Sequence, residues 1–247
     1  TKEQFKEKEN IDIFLNHKVT EILPDINEVI VKNFDNNVEF AVKYSDLLIA
    51  TGAKPFIPNI KGIEAKNVFV LRSITDALLI KDKVAHAQNV VIIGAGYIGM
   101  EMLEAFVKRG LSTTVIEMEN QILPVFDKDM AQLLENYIKE EISSYIEIIT
   151  SDAVDEIITD NNNKALQVKT TNKRLVNADM ILISAGVRPD VSLAKASGVK
   201  MGLTGAIKVN SRMQTNIKNI YAAGDCAEQT HIVTQSPAWI PLGSTAI

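Results

Sequence analysis

From Gly94 to Gly99 the chain reads Gly-Ala-Gly-Tyr-Ile-Gly, a G-x-G-x-x-G spacing that can bring bare backbone N–H groups against a phosphate. In such a turn Gly94 permits the tight bend, Gly96 lets the backbone approach a pyrophosphate, and Gly99 lets helix and strand pack closely. The pattern carries weight only between a strand and a helix. Residues 90–93 are apolar and β-branched, as in a strand buried on both faces. After them Ile98, Met102, Ala105 and Phe106 recur at helical steps. The helix start adds free N–H groups and partial positive charge. Glu117 follows Gly94 by 23 positions, near the ~20 at which such folds place the acid that accepts ribose hydroxyl protons. At ~4 Å and an effective dielectric near 20 its charge would repel a 2′-phosphate by up to about 4 kcal/mol. Residues 118–122 hold no lysine or arginine to reverse that preference. These residues predict binding of NAD(H) rather than NADP(H).

The elements around this unit read as an α/β chain. Alternation at Ile11, Ile13 and Leu15 predicts an early strand, followed by short apolar runs at Val19, Ile22 and 29–31. Asp35-Asn36-Asn37 is turn chemistry, and 38–42 and 46–50 are further strands. Pro55, Pro58 and Gly62 make 53–63 a loop. A helix is expected over 73–83, with Ile74, Ala77, Leu78 and Ile80 near one face. Gly110 is placed to end the helix that Tyr97 begins, and 113–116 is the next strand. A second helix is expected over 128–141, capped by Asp127, with Met130, Leu133, Leu134, Tyr137 and Ile138 inward. Runs at 154–158, 166–169 and 180–184 complete a strand-helix-strand core with a β-meander after its second helix.

Composition narrows the function classes. The 247 residues suffice for one large domain or two ordinary ones. With 46% hydrophobic and 23% charged residues and a net charge of −5, there is no basic stripe with interleaved aromatics, so no nucleic-acid partner is expected. No apolar run approaches the ~18 residues of a spanning helix, and the charged start TKEQFKEKEN has no signal-peptide core. No membrane partner is expected, and the cytoplasm is the expected location. Cys226 is the single cysteine, so it has no intrachain disulfide partner. His17, His86 and His231 show no metal-ligand spacing, and no metal is expected.

Further motifs flank the glycine turn in order: Ala50-Thr51-Gly52 closing an apolar run, Ser184-Ala185-Gly186-Val187-Arg188-Pro189, and Tyr221-Ala222-Ala223-Gly224-Asp225. Together the chain resembles the FAD-dependent pyridine nucleotide–disulfide oxidoreductase family. Residues 237–246, PAWIPLGSTA, are most similar to the branch of NADH oxidases, NADH peroxidases and coenzyme A–disulfide reductases. The resemblance implies a Rossmann-like three-layer NAD(H)-binding domain with a β-meander at 86–205. That domain would be inserted in a discontinuous, incomplete FAD-binding domain of the same type, at 1–85 and 206–247. It implies an enzyme that passes a hydride from NADH to FAD and electrons on to oxygen, a peroxide or a disulfide.

By the same resemblance, Tyr97 is the aromatic gate over the flavin, Ile98, Phe126 and Gly186 line the NAD site, and Glu101 faces the nicotinamide pocket. For FAD, Val19 would contact the adenine, Thr51 and Gly52 would pass close to the dinucleotide, and Arg72 would meet a phosphate. Gly224 and Asp225 would form the second FAD fingerprint, and Leu242, Gly243 and Ser244 would lie beside the flavin ring. Read without the resemblance, Tyr97 and Phe126 fit equally as core aromatics, Arg72 as a solvated arginine, and Asp225 as a turn residue. Cys226 fits a small packed residue better than a redox centre. The sequence departs from the family's pattern in three places: it has no glycine-rich FAD motif before Gly94, no upstream redox cysteine, and no dimerisation domain after Ala246. The expectation is therefore an internal fragment of a longer, homodimeric enzyme acting on a small-molecule acceptor. Two alternatives stand beside it: a non-catalytic NAD-binding module, and a ferredoxin- or rubredoxin-reductase-like electron-transfer enzyme.

Overall fold

The computed structural model describes residues 2–141 and 145–243, and the chain divides into two units, Lys54–Arg188 and Thr1–Ala53 with Pro189–Ile247. In the first unit the strand Asn89–Ile93 lies at the middle of a five-stranded parallel sheet. Met180–Ile183 and then Val68–Val70 lie on one side of it, Ser112–Ile116 and then Ile146–Ile149 on the other. Side chains alternate across such a sheet. Val90 and Ile92 therefore pack with Leu103, Phe106, Ala131 and Ile138 of the covering helices. Val91 and Ile93 pack the other way, with Ile157, Ala165 and Val168 of the meander Val154–Thr159, Ala165–Thr170, Leu175–Asn177. Helices, sheet and meander make three layers, as the family resemblance implies. Both faces of the central strand are covered, and Val91 and Ile92 have no exposed surface.

The helices form where expected, but their inward faces differ. In Lys128–Glu141 the buried stripe is Ala131, Leu134 and Ile138, whereas Met130, Leu133 and Tyr137 are exposed. The two stripes lie one residue apart, and hydrophobicity alone does not choose between them. The small Ala131 admits the close approach. In Ile74–Val84 only Ile80 is buried, while Ile74, Ala77 and Leu78 face out, because the C-terminal half alone (Ile80, Val84) reaches the core. Its start is fixed by Ser73: the hydroxyl accepts the N–H of Asp76, and the Asp76 carboxylate accepts that of Ser73.

The second unit holds an antiparallel sheet, His17–Leu23, Glu28–Asn33 and Val38–Lys43, and a parallel pair, Leu47–Ile49 with Ile220–Ala222. Ile22, Val29, Val31, Ile49, Val199, Ile207 and Ile220 form its core. The strand expected at 11–15 is absent. Lys2–Glu9 is a helix, and residues 11–14 carry no regular structure. The partner of His17 is Asn33, where Glu28–Asn33 ends, so residues before His17 have no facing strand. The units divide at 53/54 and 188/189, whereas the expected boundaries lie at 85/86 and 205/206. Val68–Val70 is the edge of the five-stranded sheet, and Ala194 and Val199 belong to the other unit's core, so contacts draw each segment away from the sequence-based division. No helix among the described residues is long and apolar enough to cross a membrane.

Asp179 ties together the entrances of two strands. Its Oδ2 accepts the N–H groups of Gln88 and Asn89 at 3.0 and 2.8 Å and the Asn89 amide at 3.2 Å. Desolvation pushes this carboxyl up, but the bonds from Asn89 and Gln88 and the charge of Lys164 outweigh it, and the group sits below the ordinary aspartate value. A depressed folded-state pKa contributes stability that is complete above the unfolded value and disappears as pH falls through the folded one. The acid-side fall in Tm, from about pH 5 through the ordinary aspartate value near 3.9, is therefore expected to be shallower in Asp179→Asn than in the parent. Parallel Tm-against-pH curves would contradict this.

Candidate functional site

The strand Asn89–Ile93 hands over to the helix Tyr97–Val107 through Gly94-Ala95-Gly96. Gly94 has φ +104°, and a Cβ there would lie 2.5 Å from the Ser184 carbonyl oxygen. A Cβ on Gly99 would come within 2.1 Å of the Gly94 oxygen. Both glycines are required by the protein itself. Gly96 differs: it caps the helix in an extended conformation, and a Cβ there meets nothing within 4 Å. The open side of the turn is the side on which a pyrophosphate would approach, so the geometry fits the group that the motif implies.

Several side chains fasten this turn. Ser184 Oγ donates to the Gly94 oxygen at 2.6 Å, and the Leu123 N–H donates to the Ala95 oxygen at 2.8 Å. Glu117 is 6% exposed; its Oε2 accepts the N–H of Ala95 at 2.7 Å and its Oε1 that of Glu119 at 2.9 Å. Asp152, also buried, donates its N–H to the Glu117 carbonyl. Its Oδ1 accepts from the Thr171 hydroxyl and the Asn172 N–H, tying the meander to the strand end that carries Glu117. Sequence reasoning missed the roles of Ala95, Leu123, Asp152 and Ser184; only Ala95 and Ser184, each inside a recognised motif, carried a signal.

The structure brings together Gly94, Gly96, Gly99 and Glu117, and it places Tyr97 against Phe126. Those two rings meet edge to face, with centroids 6.0 Å apart, and both remain partly exposed. They are therefore not closed-in core aromatics. Ile98 is partly buried, and Glu101 is exposed one helical turn after Tyr97. Gly186 has φ +94° and accepts the Phe56 N–H, and Arg188 stacks 4.8 Å over the Phe56 ring.

In the other unit, Leu47–Ile49 and Ile220–Ala222 run parallel, and Ala223 N–H donates to the Ile49 oxygen at 3.1 Å. The turns bearing Thr51-Gly52 and Gly224-Asp225 thus leave neighbouring strand ends, where open α/β sheets bind ligands. Thr51 Oγ1 donates to the Asp190 oxygen at 2.6 Å, Gly52 and Gly224 have positive φ, and the Asp225 oxygen accepts the Trp239 indole N–H at 2.7 Å. Val19 packs against the core beside a bulge in its strand. Leu242 and Gly243 are exposed, and Ser244 lies outside the described residues. Arg72 belongs to the unit of Lys54–Arg188, in the turn before the helix Ile74–Val84, where its N–H donates to Asp76. Cys226 is fully buried with its thiol directed at the Ile49 and Ala223 carbonyls, a packed residue.

Residues 2–241 match the family model described as pyridine nucleotide-disulphide oxidoreductase. The chain belongs to that family. It is 37% identical to an NADH oxidase of Methanocaldococcus jannaschii over 100% of this chain and 54% of the relative. It is 36% identical to an NAD(P)H coenzyme A polysulfide/persulfide reductase of Pyrococcus horikoshii over 97% of this chain and 52% of the relative. A water-forming NADH oxidase from Lactobacillus brevis, solved bound to NADH, superposes with a TM-score of 0.86 at 28% identity, over 94% of this chain and 50% of that one. The chain thus spans about half the length of the relatives it matches.

The glycines separate fold from binding. Gly96→Ala is expected to cost less than about 1 kcal/mol of stability, the scale of a helix-cap change, and to weaken NADH binding tenfold or more. Gly99→Ala is expected to lower Tm markedly before any nucleotide is added. Melting curves and NADH titrations on both variants test this; equal NADH affinity in Gly96→Ala and the parent would contradict it.

Proposed function

We propose that this chain carries the NAD(H)-binding domain and part of the FAD-binding domain of a flavoprotein oxidoreductase. In this reading the unit Lys54–Arg188 holds NADH at the Gly94 turn, and the motifs Thr51-Gly52 and Gly224-Asp225 meet FAD. The observation that carries the reading is the turn itself: Gly94 and Gly99 are demanded by internal packing, whereas Gly96 is open to a ligand and lies beside a buried carboxylate at the strand end. Family membership and the names of the relatives support the redox assignment.

When both cofactors are bound, they supply the hydride and electron chemistry. The protein supplies the rest. The N–H groups at the start of the helix Tyr97–Val107 hold the pyrophosphate, and Glu117 accepts from the adenosine ribose. Tyr97, exposed at the helix start with Phe126 against its ring edge, would serve as the aromatic gate that the family resemblance implies. The acceptor of those electrons would be oxygen, a peroxide or a coenzyme A-type disulfide. The whole protein acts in the cytoplasm as a homodimer.

In the intact protein, anaerobic NADH is expected to bleach a bound flavin, with kcat/KM at least about tenfold higher for NADH than for NADPH, part of the ~4 kcal/mol upper bound surviving solvent screening. Protein that purified without flavin and showed no NADH-dependent reduction of added flavin would overturn the reading.

A further inference from the structure

Glu117 directs its carboxylate at the glycine turn. Ala95 has no exposed surface, and its N–H is accepted by Glu117 Oε2 at 2.7 Å. Its carbonyl accepts the Leu123 N–H at 2.8 Å, so both polar groups of Ala95 are fastened to the one connection that runs from Glu117 to Leu123. That connection is itself anchored: Ile122 is fully buried, Leu123 is 5% exposed, and Glu117 Oε1 accepts the N–H of Glu119. A buried N–H that loses its acceptor cannot turn to water where it stands, so the turn must move to resatisfy it.

We propose that Glu117 is a positioning residue for the pyrophosphate end of the nucleotide: its carboxylate holds Ala95, and through it the turn that presents Gly96 and the helix N-terminus. The inference rests on the NAD(H) reading of this turn and adds to it a second task for the same side chain. A carboxylate oxygen accepts more than one hydrogen bond, so holding Ala95 and reading a ribose hydroxyl are compatible. It follows that replacing Glu117 to admit NADP(H) costs affinity for both nucleotides, because the phosphate turn loosens along with the ribose contact.

The test separates the two tasks with a ligand that has no adenosine ribose hydroxyls to read. Dissociation constants are measured on the intact protein for NADH and for its 2′,3′-dideoxyadenosine analogue, in the parent, Glu117→Gln, Glu117→Met and Glu117→Ala. Gln keeps an oxygen for the Ala95 N–H; Met keeps the volume but has no such acceptor. Ala is a second acceptor-free variant of different volume, so a loss common to Met and Ala tracks the missing acceptor rather than packing. For the dideoxy analogue, Glu117→Gln is expected within about threefold of the parent, and Met and Ala about tenfold weaker (about 1.4 kcal/mol). Amide hydrogen exchange at Ala95, without nucleotide, is expected to quicken tenfold or more in Met and Ala and to change little in Gln. Equal affinity of all four proteins for the dideoxy analogue, with losses confined to NADH, would make Glu117 a ribose reader only and overturn the proposal. A parent protein that bound neither nucleotide would instead overturn the NAD(H) reading on which it rests.

Discussion

The carbonyl of Gly94 sits where strand, turn and helix are forced together. Ser184 Oγ reaches it at 2.6 Å from the neighbouring strand's end, and a Cβ on Gly99 would fall 2.1 Å from the same oxygen. The Gly94 N–H is meanwhile spent on Ile116, at 2.8 Å. Helix and sheet can lie this close only without side chains at 94 and 99, and that closeness points the first free N–H groups of the helix out of the carboxyl ends of the strands. The layers on either side follow from the same strand. Val90 and Ile92 need helices over them, Val91 and Ile93 need the meander, and the central position of Asn89–Ile93 lets both demands be met.

The segment after Ser112–Ile116 is the second determinant. It begins with Glu117, passes the buried Ile122 and Leu123, and ends at Phe126 beside Tyr97. Within ten residues it touches the glycine turn twice, through the Ala95 N–H and the Ala95 carbonyl. Leu123 adopts φ +45°, an uncommon conformation for a branched side chain. It is held there while its N–H satisfies Ala95. The segment links the strand end that carries Glu117 to the aromatic pair of Tyr97 and Phe126.

Much of this was legible in the sequence because local pattern and fold agree there. The apolar residues 90–93, the three glycines, Glu117 and the first two meander runs fell where expected, whereas the strands Ile146–Ile149 and Leu175–Asn177 were not foreseen, and the run at 180–184 joined the parallel sheet. Legibility failed where two arrangements share one pattern. Met130-Leu133-Tyr137 and Ala131-Leu134-Ile138 are neighbouring stripes on one helix, and only packing against the sheet selects the second. Ile11, Ile13 and Leu15 alternate like a strand but have no facing strand, because Glu28–Asn33 ends opposite His17. The clasp residues were hidden for a different reason. Ser184 and Leu123 act through one hydroxyl and one backbone N–H, and nothing in their types marks the carbonyl they meet.

We propose a Gly94 turn that holds the pyrophosphate of NADH in a site that the protein builds before the nucleotide arrives. A crystal structure of the intact protein with NADH tests it most directly. The expected result is pyrophosphate oxygens within about 2.7–3.2 Å of backbone N–H groups between Gly96 and Ile98, with the Glu117–Ala95 bond kept. Pyrophosphate bound elsewhere, or a turn rebuilt around it with that bond broken, would contradict it.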